Sequence, residues 1–131
     1  MDIKERKQKI VDGFQGLANG DSEPLMSLFD SGVSWKIIGT TKFSGTYDGI
    51  EDLTERLLVP IHEALDGSIK LTADNLIGEG NYIVCQGQGK SKLNKGGNYN
   101  NIYCWVYRWS GDKIVEVTEY LDTEAVDIAF D

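Results

Sequence analysis

The segment "KIVEVTEYLD" sets Val115, Val117, Glu119 and Leu121 at a spacing of two, which puts them on one face of a strand. A carboxylate therefore stands among apolar neighbours. Burial there disfavours its charged form and raises its pKa toward neutrality, the condition for a general acid or base. The chain has a single histidine, His62, so acid–base chemistry falls to carboxylates, tyrosines or that residue. A histidine-rich metal centre is not expected, nor is a Ser-His-Asp triad. The two cysteines, Cys85 and Cys104, make neither a disulfide framework nor a zinc site. No metal and no cofactor is expected.

Partners for Glu119 follow from the strands that precede it. From Ser68 onward the hydrophobic period is two, and turns at "GEGN", "NKG" and "SGD" divide the segment into a four-stranded antiparallel meander. With Glu79-Gly80 and Asn94-Lys95 as two-residue turns and Ser110–Asp112 as a three-residue loop, Ala73, Gln86, Tyr103 and Glu119 form one row across the sheet. Gln88 then lies opposite Asn101, and Cys85 opposite Cys104. In this register no Lys or Arg shares the face near Glu119. Tyr103 is either a donor to a developing oxyanion or a core tyrosine that reaches Glu119. Gln86, Gln88 and Asn101 either orient a polar ligand group or satisfy one another. Trp35, Tyr99 and Trp105 line or rim a pocket or fill a core. His62, at the flank of a helical apolar stripe, reaches the rim, and Tyr47 sits on a loop that covers the first strand. Ile83, Ile102, Cys104 and Val106 fall on the opposite, outer face.

These residues need positioning by the rest of the chain. Ile10, Phe14 and Leu17 follow helical spacing, and Gly20 ends that helix. A second short helix carries Leu25, Met26, Leu28 and Phe29. "VSWKII" is a strand showing Val33, Trp35 and Ile37 on one face. Gly39 to Gly49 reads as a loop with a short extended piece at Phe43. A third helix carries Ile50, Leu53, Leu57, Ile61 and Leu65, with a kink expected at Pro60. "DTEAVDIAF" closes the chain as a helix capped by Asp122 or Thr123. Helices followed by a long meander make an α+β domain spanning residues 1–131, with a curved antiparallel sheet wrapped around three N-terminal helices and a cavity at one end.

The formal net charge of −8 disfavours nucleic acid and anionic membrane surfaces, which would repel the chain. Apolar runs are too short to span a bilayer, and "MDIKERKQKI" has no apolar signal core, so a cytoplasmic location is expected.

Together, "FSGTYDG", the "LLVPI" helix, "YNNIYCWVYRWSGDKIVEV" and "EYLDT" resemble the SnoaL-like group of the nuclear transport factor 2-like superfamily. The resemblance implies a cone-shaped fold, a deep pocket at its open end and a homodimer formed through the outer sheet face. Relatives include polyketide cyclases, ketosteroid isomerases, scytalone dehydratase, limonene epoxide hydrolase and non-catalytic proteins. The epoxide hydrolases use an Asp-Arg-Asp set; Glu119 falls on one aspartate, but Gln86 and Gln88 fall on the arginine and the other aspartate. Two glutamines supply neither the base nor the acid for epoxide opening. The isomerases' aspartate at the end of the first strand has no counterpart in "SWKIIG". The acidic base that polyketide cyclases carry in the last strands falls on Glu119. The resemblance thus implies either a cofactor-independent lyase, isomerase or cyclase acting on a small molecule, or a non-catalytic binding protein of the same fold.

Overall fold

A computed structural model describes residues 1–131. Helix α1 (Ile3–Ala18) begins at Asp2, whose carboxylate accepts from the Glu5 N–H at 2.8 Å. It buries Arg6, Ile10, Gly13 and Phe14. Gly13 lets the short α2 (Glu23–Met26) lie close, since a Cβ there would stand 3.0 Å from Leu25. Strand β1 (Phe29–Ile37) pairs with β2 (Gly45–Asp48), a strand within the segment expected to be a loop.

The third helical segment comprises α3 (Ile50–Leu53), a π-helical turn (Thr54–Leu58) and α4 (Val59–Ala64). The helix passes through Pro60 by way of that turn. Proline has no N–H and its ring crowds the carbonyl four residues back. The turn before it widens, and the Val59 N–H donates to the Thr54 carbonyl, five residues back.

Strands β3 (Lys70–Glu79), β4 (Tyr82–Lys92), β5 (Asn98–Ser110) and β6 (Lys113–Leu121) form the antiparallel meander. The sheet order is β2-β1-β6-β5-β4-β3. β1 runs parallel to β6, so the sheet is mixed rather than wholly antiparallel. Helix α5 (Thr123–Phe130) closes the chain, capped by Asp122, which accepts from the Glu124 and Ala125 N–H groups. No helix is long and apolar enough to cross a membrane.

The register differs from the expected one at each junction. Glu79 pairs with Tyr82 and Ser110 with Lys113, so both hairpins turn on two residues, Gly80-Asn81 and Gly111-Asp112. In each, glycine takes the first central position with φ of +58° and +61°, the place where a two-residue turn of the II′ kind needs it. The β4–β5 connection runs through Leu93–Gly97, and Lys92 pairs with Asn98. Bulges interrupt the pairing between Ala73 and Asn75 and between Arg108 and Trp109.

These shifts decide which side chains meet. Along β4–β5, Gln86 pairs with Cys104 and Gln88 with Ile102. That is one residue from the expected pairing, and a one-residue slip turns every side chain of a strand over. Gln86 and Gln88 therefore face outward, while Ile83 and Cys85 point inward and are fully buried. Ile83 is thus not on the outer face, and Cys85 lies on the opposite side of the sheet from Cys104. Along β5–β6 the slip is two residues, so faces are kept. Glu119 remains inside, opposite Trp105 rather than Tyr103.

Two apolar clusters fill the interior. One gathers Ile10, Phe14, Val33, Ile83, Trp105, Tyr107 and Trp109; the other gathers Ile37, Phe43, Leu53, Leu57, Tyr99 and Phe130. The first is closed off by Arg6, whose guanidinium donates to Asn81 Oδ1 at 3.3 Å and the Gly111 carbonyl at 2.7 Å and lies over the Trp109 ring. One buried cation thus ties α1 to both hairpin tips.

Candidate functional site

The cavity opens between the two clusters, with a volume of about 840 Å³ and mostly apolar walls. Helix α1, the π-turn segment, α5 and the inner faces of β1, β5 and β6 supply its lining. Glu119 is the one carboxylate in that lining, and no Lys or Arg accompanies it. Apolar burial pushes its carboxyl up to about 7, against the pull of a hydrogen bond from Trp105. Trp105 Nε1 donates to Glu119 Oε1 at 2.9 Å, which leaves Oε2 without a protein donor. The carboxyl is thus held well above the ordinary carboxylate range, with Oε2 free of protein hydrogen bonds.

The aromatic wall beside Glu119 depends on small residues in the next strand. Tyr103 and Trp105 stack with centroids 4.6 Å apart and planes 13° from parallel. Opposite them β4 presents Gly87, Gly89 and Ser91 on its inner face. A Cβ at Gly89 would stand 2.9 Å from the Tyr103 ring, and one at Gly87 would stand 3.2 Å from Trp105. The inward glycines of "QGQGKS" are what allow the two rings to lie across the sheet.

Of the residues singled out from sequence, Glu119, Tyr103, Trp105, Trp35, Tyr99 and His62 line the cavity. Trp35 packs edge-on against Phe29 with centroids 5.3 Å apart. His62 is exposed at the mouth. Four others lie elsewhere. Gln86 Oε1 accepts from Asn75 at 2.9 Å and Gln88 donates to Asp74 at 3.2 Å, both on the outer face. Tyr47 is buried away from the cavity, with its hydroxyl donating to the Phe43 carbonyl at 2.7 Å and its ring under Arg56. Asn101 is buried behind the wall, where it joins Tyr99 to Asp122.

Phe14, Tyr107 and Phe130 also line the cavity, and none of them stood out in the sequence as a site residue. Their strand or helix spacing is the same as that of ordinary core residues, so nothing in the sequence separates the two roles. Cys85, fully buried, has its thiol pushed up to about 12 by burial, which makes it an inert core residue. No group of three or more His, Cys, Asp or Glu side chains is gathered where it could hold a metal ion.

No protein-family model and no curated protein matches this sequence. Solved structures match it over nearly its whole length. An NTF2-like protein from Burkholderia thailandensis superposes with a TM-score of 0.79 at 20% identity, over 95% of each chain. The chain has the nuclear transport factor 2-like (NTF2-like) fold. Bal32a, from a soil-derived mobile gene cassette, gives a TM-score of 0.84 at 17% identity over 98% of each chain. TerC, co-crystallized with polyporic acid, gives 0.78 at 20% identity over 93% of this chain and 95% of its own. An NTF2-like fold does not by itself fix an activity, so the functional conclusion has to come from the cavity.

Proposed function

We propose that the cavity takes an uncharged, largely apolar small molecule and that Glu119 moves a proton on it. The protein would then be a lyase, isomerase or cyclase of the SnoaL-like kind that uses no metal or organic cofactor. One observation carries this reading: a lone carboxyl, raised to about 7 and held by one oxygen, stands in an apolar wall that offers no Lys or Arg. A wall without Lys or Arg favours neutral ligands, because an anion would enter unpaired beside Glu119. Ionised Glu119 takes a proton from the carbon α to a carbonyl. The C–H electron pair moves into the enolate, and the carboxyl returns the proton at another carbon.

The test is a screen of carbonyl-containing metabolites for binding, followed by turnover with wild type and Glu119→Gln. Loss of the base should lower turnover by about 10²–10⁴-fold with little change in affinity. Turnover unaffected by the substitution would rule Glu119 out. Binding without turnover in either protein would favour the second reading, a non-catalytic binding protein, which is supported by Glu119 being the only carboxyl in the cavity lining. Native mass spectrometry of protein purified gently from its own cells would report any retained ligand.

The outer sheet face is proposed to meet a second copy of the chain. Ile77, Val84 and Val106 form a row across three strands, and Ile102 beside them is 74% exposed. Light scattering should give a dimer for wild type and a monomer for Ile102→Glu. A monomeric wild type would remove this assignment.

A further inference from the structure

Behind the cavity wall, the hydrogen bonds of Asn101 are complete. Its Oδ1 accepts from the backbone N–H groups of Asp122 at 3.0 Å and Ile102 at 2.7 Å. Backbone N–H groups can only donate, so the amide cannot be flipped and its Nδ2 is fixed as the donor. Nδ2 donates to the Asp122 carbonyl at 3.0 Å and to the Tyr99 hydroxyl at 2.8 Å. The Tyr99 and Tyr103 hydroxyls are 3.0 Å apart and share one hydrogen bond. Two phenols bring two protons and their mutual bond uses one. No other protein acceptor is within reach, so one O–H proton is left over on a pair whose rings both line the cavity. Because Tyr99 already accepts from Asn101, donation onward to Tyr103 aligns the chain and strengthens each link. The free proton then sits on Tyr103. Burial pushes both hydroxyls up from the ordinary tyrosine range, so neither ionises at working pH.

We propose that Tyr103, oriented through Tyr99 and Asn101, is a ligand-binding subsite separate from Glu119 that holds an uncharged ring compound by a carbonyl oxygen. The subsite rests on the cavity taking a small molecule. Asn101 and Tyr99 are positioning residues, and Asn101 makes the alignment depend on the backbone at the start of α5.

The test compares 9-fluorenone with fluorene, which have the same ring skeleton with and without a carbonyl. Titration calorimetry on the wild type should show fluorenone preferred by roughly fivefold, the worth of one neutral hydrogen bond. The carbonyl stretch of bound fluorenone should move to lower wavenumber. Tyr103→Phe should lose both the preference and the shift while leaving fluorene affinity unchanged. Glu119→Leu, which removes the protonated carboxyl as an alternative donor, should keep both, and Tyr99→Phe should weaken them without abolishing them. A preference that survives in Tyr103→Phe, or is lost in Glu119→Leu, would overturn the assignment. So would loss in Tyr99→Phe with retention in Tyr103→Phe, which would put the free proton on Tyr99. Equal binding of the two probes by wild type would remove the subsite and leave the cavity reading standing. Failure of both to bind would remove both.

Discussion

Glu119→Gln is expected to be more stable than the wild type at pH 8 by about 3 kcal/mol and to match it near pH 4. The carboxyl is raised from 4.5 to about 7 in the folded protein. Below about pH 4.5 it is protonated in both folded and unfolded chains and contributes no pH dependence. Between 4.5 and 7 the unfolded chain releases the proton while the folded chain keeps it, so stability falls as pH rises. Above about 7 both states are ionised and the full cost remains, about 1.4 kcal/mol for each tenfold difference in proton affinity between the folded and unfolded chains. Glutamine does not titrate, so the variant lacks this fall. Urea denaturation at several pH values between 4 and 8 would measure the difference. Parallel pH profiles for the two proteins would mean that Glu119 is not held in its neutral form by the fold.

Gly87→Ala is expected to cost about 3 kcal/mol, at the upper end of overpacking effects, and to disturb the cavity as well. The new methyl group would be forced against the Thr72 carbonyl oxygen on β3 and would stand 3.2 Å from the Trp105 ring. The oxygen belongs to backbone beside the β3 bulge, so it cannot rotate away as a side chain would. Relief requires β3 to separate from β4, or Trp105 to leave the position from which it holds Glu119. The second route removes the hydrogen bond that opposes the rise in the Glu119 pKa. The variant should therefore show a lower melting temperature and a Glu119 that titrates at higher pH than in wild type. Carboxyl-labelled NMR would follow the titration, and wild-type values for both would refute the packing role of Gly87.

Glu119 was legible in the sequence because a carboxylate at a spacing of two beside Val117 and Leu121 fits a strand with an apolar face. Val115 does not share that face, because the β5–β6 bulge leaves it unpaired and buries Ile114 instead. The odd face of β5, with Tyr103, Trp105 and Tyr107, was legible for the same reason. Gln86 and Gln88 were misplaced because the β4–β5 connection spans Leu93–Gly97 rather than two residues. Glu119 survived a larger register error because a two-residue shift preserves the face. Arg6 gave no sign of its burial, since one arginine among Lys4, Glu5 and Lys7 looks like any solvated helix face.

The sequence by itself determined the order of the helices and of the strands other than β2, the four-stranded meander, the capped closing helix and the inward carboxylate. Those depend on hydrophobic period, turn residues and caps, which act over a few neighbouring positions. Only the tertiary structure decided that Trp105, and not Tyr103, holds Glu119, that Asn101 serves Tyr99 from behind the wall, and that Arg6 binds two distant hairpin tips. Those pairings depend on register across bulges and on contacts up to 105 residues apart in sequence, and one extra residue in a strand is enough to change them.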